Sequence, residues 1–183
     1  ENGYAQIIFN DIVISSNLVG VYNAHNILAA LTIGLHFGVE VEKIKQAIEN
    51  YIPSNNRSQI LKTQTNTLIL DCYNANPSSC LSAIESFANM NANNKIVFMG
   101  AMKELGKVSE SEHKRVFELM KSKGFEKIVL IGKEYKEIAE GKEEYFDDSE
   151  KFKQYLLNNP INNATILIKG SRSTKMEILK DVL

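Results

Sequence analysis

The segment at residues 71–77, D-C-Y-N-A-N-P, combines side chains that can bind a polar ligand. Asp71 ends a short apolar run and could accept hydrogen bonds from ribose hydroxyls, while the amides of Asn74 and Asn76 both donate and accept. The same spacing also suits a turn in which Asn74 or Asn76 caps the helix that begins at Pro77. From the spacing alone, a binding site and a helix cap are equally good interpretations.

A second polar segment, K-G-S-R at residues 169–172, follows another apolar run. Lys169 and Arg172 supply cations, Ser171 a hydroxyl, and the glycine between them allows close backbone approach. Such a set in front of a predicted helix suits an anionic group such as a carboxylate or a phosphate. A surface turn with two solvated cations is the alternative, but the position at the end of a strand favours binding.

The segment at residues 100–107, G-A-M-K-E-L-G-K, resembles a phosphate-binding P-loop only superficially. Five residues separate its glycines where that motif has four, and Val108 stands where Ser or Thr would bind Mg²⁺. A structured loop with two glycine turns is the better interpretation. Arg57 by itself is most simply a solvent-exposed or interface residue. The three histidines lack a partner at catalytic or metal-binding spacing, so we expect no metal site.

The elements that position these segments follow from hydrophobic periodicity. Residues 5–14 predict a hairpin or two short strands, 23–37 and 41–51 predict helices, and 53–56 a linker. Beyond residue 59 we expect strands over 68–71, 95–99, 127–131, 145–146 and 164–168, and helices over 77–90, 109–123, 149–157 and 173–183, with a short helix from about 134. This alternation predicts an α/β fold, a mostly parallel sheet with helices on both faces. Ligands of such sheets bind beyond the carboxyl ends of the strands, where the polar segments lie.

Composition narrows the possible partners. With 21 basic and 22 acidic side chains and a net charge of -1, the chain has no electrostatic footprint for nucleic acid or an anionic membrane. No apolar run reaches the length of a membrane span. Cys72 and Cys80 are too few and too loosely spaced for a zinc site or a disulfide framework, so a reducing cytoplasm is expected. The first residues lack Met and a basic region, which indicates a boundary inside a longer protein. The charge-rich stretch 134–144 is mixed in sign and predicts a solvated surface.

Four ordered segments together resemble the Mur ligase family. Residues 20–26, G-V-Y-N-A-H-N, resemble G-x-H-N-x-x-N, and residues 71–77 resemble the D-S-Y-N-A-N-P of the branch that adds D-alanyl-D-alanine. Residues 100–106 resemble G-D-M-x-E-L-G, and 169–172 match K-G-S-R. Two positions depart from the family pattern: Ala101 stands where Asp is usual, and Tyr22 where His is usual.

The resemblance implies a domain organisation and an activity. Residues 1–57 are expected to be the tail of a central ATP-binding domain plus a linker, and residues 58–183 a complete Rossmann-like C-terminal domain. The implied reaction is ATP-dependent joining of D-alanyl-D-alanine to UDP-N-acetylmuramoyl-tripeptide through an acyl phosphate, in peptidoglycan precursor synthesis. The P-loop and the groups that bind Mg²⁺ belong to the upstream part of the family's sequence, so this chain alone is expected to be inactive. A cytoplasmic monomer is expected.

The resemblance also implies roles for individual residues. ATP would contact Asn23 and Asn26 at adenine, Asp71 at the ribose and Arg57 at the phosphates. The incoming dipeptide and its carboxylate would be bound by the side chains of both polar strand-end segments, namely Asn74, Asn76, Lys169, Ser171 and Arg172. No catalytic group and no metal ligand is expected within this chain.

Three other interpretations of the chain also fit the sequence. The chain could belong to another Mur ligase or to a folylpolyglutamate-type ligase. It could also be a non-catalytic nucleotide- or peptide-binding module of the same fold, which the departure at Ala101 favours. A purely structural α/β domain would leave the polar segments at the strand ends unexplained.

Overall fold

The computed structural model describes residues 3–139 and 144–183. The N-terminal segment begins with an antiparallel hairpin of β1 (Tyr4–Phe9) and β2 (Ile12–Val19). Its two-residue turn places Asn10 and Asp11 at φ of 46° and 63°, a conformation that Asn and Asp tolerate well. A 3-10 turn (Val21–Asn23) then leads into α1 (Ala24–His36), which is followed by α2 (Val41–Asn50). The predicted hairpin and both helices are confirmed.

The N-terminal segment has a small core of its own. The hairpin and both helices bury a set of aliphatic side chains: Ala5, Ile7, Ile14, Ile27, Leu31 and Ile44. A Cβ added at Gly34 would lie 2.7 Å from Cδ1 of Ile44, so the glycine allows α1 and α2 to pack closely. No helix or strand occupies residues 51–58. A linker between domains at this point stays a prediction.

A six-stranded sheet forms the rest of the fold. Its strands are β3 (Gln59–Lys62), β4 (Thr67–Asp71), β5 (Lys95–Gly100), β6 (Lys127–Ile131), β7 (Glu144–Phe146) and β8 (Thr165–Lys169). They lie in the order β3-β4-β8-β5-β6-β7, and only β3 runs antiparallel to its neighbour. The helices are α3 (Pro77–Asn89), α4 (Ser109–Ser122) and α5 (Ser149–Asn158). The predicted mostly parallel α/β fold is confirmed.

Helices cover both faces of the sheet, as predicted. One face packs against α3 and α4 through side chains such as Ile84, Phe87 and Phe117. The other face packs against α5 and the C-terminal residues, with Phe152 and Leu179 fully buried. Because the parallel strands are covered on both sides, they are almost continuously apolar, as buried strands are. In the described ranges, no helix is long and apolar enough to cross a membrane.

The structure differs locally from the elements expected from the sequence. Strand β3 was not predicted; it pairs with β4 in a hairpin at the sheet edge. The predicted helix over 173–183 is wrong as a single α-helix, because Arg172–Thr174 and Met176–Val182 are separate 3-10 stretches. Between them, Lys175 has a φ of 51°, which a right-handed helix does not accommodate.

The short helix expected from about residue 134 is only a 3-10 turn (Lys133–Tyr135), followed by hydrogen-bonded turns to Ala139. Residues 140–143, part of the charge-rich stretch, lie outside the described residues, and so does the start of the chain at residues 1–2.

Candidate functional site

The strand order brings the three glycine- and asparagine-containing loops together. Strand β8 lies between β4 and β5, and Lys169 pairs in register with Asp71 on one side and Met99 on the other. The loops after Asp71, Gly100 and Lys169 therefore leave the sheet side by side at its carboxyl edge. This is the edge where ligands bind in open α/β sheets.

The centre of this edge is a buried ion pair. Nζ of Lys169 lies 2.6 Å from Oδ2 of Asp71, and the lysine side chain is only 1% exposed. The other carboxylate oxygen of Asp71 accepts a hydrogen bond of 3.2 Å from the backbone N–H of Ser58. Each charge therefore has a close partner of the kind that compensates for its removal from water.

Ser58 extends these contacts to the N-terminal segment. Its hydroxyl lies 3.0 Å from the hydroxyl of Tyr22 and accepts a 3.2 Å hydrogen bond from Nδ2 of Asn23. Ser58 is buried and adopts a φ of 49°, which is unusual for a residue other than glycine. Five residues thus form a continuous set of polar contacts, made by their side chains and the backbone N–H of Ser58. They are called here the polar network: Tyr22, Asn23, Ser58, Asp71 and Lys169.

Tyr22 occupies the position where the family pattern has His, and it has a defined place in the polar network. Burial, and secondly the negative charge of Asp71, raise the pKa of its hydroxyl well above the usual value. The hydroxyl therefore stays protonated and bonded to Ser58 at physiological pH. A tyrosine at this position supports the junction between the N-terminal segment and the sheet.

A cavity of about 440 Å³ lies between the N-terminal segment and the sheet edge. Its volume falls within the range of small-molecule sites. Of the predicted site residues, the cavity is lined by Asn23, Asn26, Arg57, Asp71, Asn74 and Lys169. Asn26 donates to Oδ1 of Asn23 at 2.8 Å, so its own carbonyl oxygen stays available. Amides, a carboxylate and a guanidinium around one cavity fit a nucleoside with an attached anionic group.

Asn76, Ser171 and Arg172 do not line this cavity. Asn76 caps α3: its side chain accepts from the N–H of Ser79 at 2.9 Å, and Ser79 in turn accepts from the N–H of Asn76. The helix-cap interpretation of segment 71–77 is therefore correct for Asn76. The side chain of Asn74 is exposed to the cavity, and among the described residues its one hydrogen-bond partner is the N–H of Ala75.

Ser171 is buried and joins all three loops. Its hydroxyl accepts a 2.9 Å hydrogen bond from the N–H of Lys103 and lies 3.4 Å from the carbonyl of Ala75, to which it donates. Its own N–H donates to the carbonyl of Ala101 at 3.2 Å. These contacts hold the loops after β4, β5 and β8 against one another. A direct contact between Ser171 and a ligand stays a prediction.

His113 fixes the loop after β5 from the other side. Its Nε2 accepts from the N–H of Met102 at 2.9 Å, and Nδ1 lies 2.7 Å from the carbonyl of Ser109. Because a carbonyl only accepts, Nδ1 carries the proton and the ring is neutral. Burial is the main cause that lowers the pKa of His113 below 6.5. The structural role of this histidine cannot be recognised from sequence spacing.

Ala101, the departure from the family pattern, is fully buried. A Cβ added at Gly132 would lie 2.6 Å from the methyl group of Ala101, so the two backbone segments approach each other closely here. The side chain of Ala101 therefore packs inside the loop and does not face the cavity.

Two exposed arginines contact the ring of Tyr73, a residue that lines the cavity. The guanidinium carbon of Arg57 lies 3.9 Å from the ring centroid of Tyr73, and that of Arg172 lies 5.6 Å from the same centroid. Both distances are within the range of cation–π contacts. These three residues are called here the arginine cluster.

Tyr73 and Ser58 were not among the predicted site residues. Tyr73 lies within the D-C-Y-N-A-N-P segment, whereas no sequence signal marks Ser58.

Metal binding finds no support in the part of the chain that the structure describes. There, no group of three or more His, Cys, Asp or Glu side chains is arranged to hold a metal ion. The two cysteines are buried free thiols.

The fold and the site together define a class of protein. The family described as "Mur ligase, glutamate ligase domain" matches residues 56–172, which is more than half of the chain. The chain therefore belongs to the Mur ligase family.

Similar proteins narrow this class. Over 178 residues the chain is 33% identical to UDP-N-acetylmuramoyl-tripeptide--D-alanyl-D-alanine ligase of Buchnera aphidicola subsp. Baizongia pistaciae, covering 94% of this chain and 38% of that protein. It superposes on MurF from Acinetobacter baumannii with a TM-score of 0.79 at 28% identity, covering 93% and 39% of the two chains. MurF of Thermotoga maritima in complex with ADP has the same fold, with a TM-score of 0.79, 22% identity and coverage of 98% and 42%. The chain spans somewhat over a third of the length of its curated relatives.

Proposed function

We propose that this chain is part of an ATP-dependent ligase that joins D-alanyl-D-alanine to UDP-N-acetylmuramoyl-tripeptide during the synthesis of peptidoglycan precursors. One observation carries the proposal. The loop that begins at Asp71 opens onto a cavity between the N-terminal segment and the sheet. Its sequence resembles that of the D-alanyl-D-alanine-adding branch. Relatives that share this part of the sequence bear that activity in their names.

The reaction requires activation of a carboxylate. Phosphoryl transfer from ATP to the terminal carboxylate of the tripeptide gives an acyl phosphate. The amine of the dipeptide attacks this electrophilic carbon, and the tetrahedral intermediate expels phosphate. Such an acyl phosphate also reacts with water, so a site formed between two parts of the protein protects it by excluding solvent.

The nucleotide is proposed to occupy the 440 Å³ cavity. We expect Asn23 and Asn26, which line this cavity, to contact adenine, and Asp71 to accept hydrogen bonds from the ribose hydroxyls. Although Asp71 already accepts from Lys169 and Ser58, a carboxylate has about four acceptor positions, so capacity remains. Arg57 at the cavity wall would approach the phosphates.

The dipeptide is proposed to bind nearby, at the loops after β4 and β8. Asn74 offers an exposed amide, and Arg172 a cation for the terminal carboxylate, while Lys169, paired with Asp71, lines the cavity. Asn76 and Ser171 belong to the same loops. We propose that they shape the acceptor pocket, since their side chains hold these loops in place.

The remaining parts of the ligase are proposed to lie upstream. Residues 1–57 would be the tail of the ATP-binding domain plus the linker, and residues 58–183 the C-terminal domain. The sequence contains no G-x-x-x-x-G-K-[ST] motif, so the triphosphate-binding loop and the groups for Mg²⁺ would come from another part of the gene product. Mg²⁺ bound there would offset charge on the phosphoryl oxygens. The ligase would work in the cytoplasm as a monomer.

The proposed function is tested with the complete gene product. Phosphate release is followed with UDP-N-acetylmuramoyl-tripeptide and ATP while D-alanyl-D-alanine is present, absent or replaced by single amino acids. Release that depends on the dipeptide supports the proposal. Release with a different acceptor identifies a sister ligase, and no release with any acceptor favours a non-catalytic binding module.

The chain of residues 1–183 is proposed to be inactive by itself, because the triphosphate-binding loop is missing from it. ATP-dependent ligation by the purified chain, above the level of a heat-treated sample, would contradict this.

A further inference from the structure

The arginine cluster combines three segments that are far apart in sequence. Arg57 belongs to the linker, Tyr73 to the loop after β4 and Arg172 to the loop after β8. Strands β4 and β8 are parallel neighbours with Asp71 opposite Lys169, so Tyr73 and Arg172 leave the sheet at the same edge. The N–H of Cys72 donates to the carbonyl of Asn56 at 3.0 Å, which holds the linker against the loop that carries Tyr73.

The ring of Tyr73 provides the contact common to both cations. The guanidinium carbons of Arg57 and Arg172 lie 3.9 Å and 5.6 Å from its centroid. An aromatic face attracts each cation, and this attraction opposes the repulsion between two like charges held near one another. Within the described ranges, the tyrosine hydroxyl has no hydrogen-bond partner, so the ring and not the hydroxyl makes the contacts.

Neither arginine has an acidic partner among the residues that the structure describes. No carboxylate there lies within ion-pair distance of Arg57 or Arg172, and the carboxylate of Asp71 is paired with Lys169. Two guanidinium groups held on one ring without an acid form a site that an anion completes. Phosphate and carboxylate are both groups that arginine binds with paired hydrogen bonds.

We propose that Tyr73 is a positioning residue, whose ring holds Arg57 and Arg172 ready for one anionic group of the bound substrates. This inference rests on the proposed function and goes beyond it by assigning a role to the ring. Tyr73 acts through the two arginines and is not itself in contact with the reacting atoms. Since one ring holds both arginines, we expect them to share a single anion. It is either a phosphate of the nucleotide, the group proposed for Arg57, or the carboxylate of the dipeptide, the group proposed for Arg172.

The test compares variants of the complete ligase at Tyr73. In Tyr73→Leu, both cation–π contacts are lost, and we expect the KM for the substrate that carries the anion to rise roughly 5- to 30-fold, with a smaller change in kcat. Tyr73→Phe keeps the ring and should behave like the unmodified enzyme. KM is measured separately for ATP and for D-alanyl-D-alanine, so the substrate whose KM rises identifies the anion.

Tyr4→Leu is the matched control, since Tyr4 is similarly exposed (41% against 38% for Tyr73) but lies on β1, away from the cluster. A Tyr73→Leu and Arg172→Ala double variant should show less than the sum of the two separate effects, because both remove the same arrangement. Unchanged KM values in Tyr73→Leu, or an equal rise in Tyr73→Phe, would overturn the assignment. Absence of dipeptide-dependent phosphate release by the unmodified enzyme would instead refute the proposed function.

Discussion

The polar network and the arginine cluster lie at the same edge of the sheet but differ in how their charges are balanced. In the polar network, Lys169 and Asp71 are buried partners, and Ser58 occupies the second carboxylate oxygen. In the arginine cluster, Arg57 and Arg172 are exposed and rest on an aromatic ring. We infer that the polar network holds the site together and presents its remaining acceptor positions to the cavity, whereas the arginine cluster has its charges free to bind a ligand.

This difference separates two kinds of effect. Removing a member of the polar network leaves a buried charge or hydroxyl without its partner, which lowers the stability of the fold. Removing an exposed arginine leaves no such group behind, so stability is kept and only ligand binding suffers. Variants of the two groups should therefore be distinguishable by unfolding and by kinetics.

The largest effect is expected for Lys169→Met. Because Asp71 would lose the partner of its largely buried carboxylate, we expect the free energy of unfolding to fall by about 3–5 kcal/mol. Urea denaturation of the chain measures it. The exposed Lys114→Met on α4 is the control and should change the free energy by less than about 0.5 kcal/mol. Equal midpoints for both variants would show that the ion pair does not support the fold.

Arg172→Ala should have the opposite profile. The urea midpoint stays that of the unmodified chain. The KM of the complete ligase rises roughly 10- to 150-fold for the substrate that carries the anion, ATP or D-alanyl-D-alanine, as expected for the loss of a charge-assisted hydrogen bond. Arg115→Ala, which removes an exposed arginine of α4, serves as the control for charge. A lowered midpoint with an unchanged KM would place Arg172 with the scaffold.

His113 offers a pH-dependent test of the scaffold. Burial lowers its pKa below the 6.5 of the unfolded chain, so the unfolded state binds the proton first as the pH falls. The stability that His113 contributes is complete above pH 6.5 and is lost below it, by up to about 1.4 kcal/mol at pH 5.5. The free energy of unfolding, measured with urea at pH 7.5 and 5.5, should change less with pH in His113→Gln than in the unmodified chain. Exposed His36→Gln should retain the dependence of the unmodified chain, and the same slope in all three would contradict the assignment.

The smallest effect is expected for Asn76→Ala. Loss of the cap on α3 should lower the free energy of unfolding by about 1 kcal/mol. The KM for the dipeptide should rise far less than in Arg172→Ala, because Asn76 acts only by holding its loop in place. Asn76→Ser, which keeps a capping oxygen, should recover most of the stability. A raised KM at full stability would instead show that the amide of Asn76 contacts the dipeptide.

Sequence patterns predicted the sheet and the gathering of Asp71, Asn74 and Lys169, because parallel strands must end at a common edge. They left a helix cap and a ligand contact equally open for Asn76, and they did not predict that Ser171 links the loops, since a side chain that suits a ligand also suits either structural role. That choice depends on distances of about 3 Å that emerge only after packing. The last 3-10 stretches were missed because the periodicity of residues 173–183 does not reveal the left-handed conformation of Lys175.

The contrast between the two groups is tested most directly by a crystal structure of the complete ligase with a non-hydrolysable ATP analogue and D-alanyl-D-alanine. We expect Lys169 and Asp71 to remain within hydrogen-bond distance of each other, while an anionic group of a ligand lies within hydrogen-bond distance of Arg57 and Arg172. A ligand inserted between Lys169 and Asp71, with both guanidinium groups turned to solvent, would contradict the division into scaffold and binding residues.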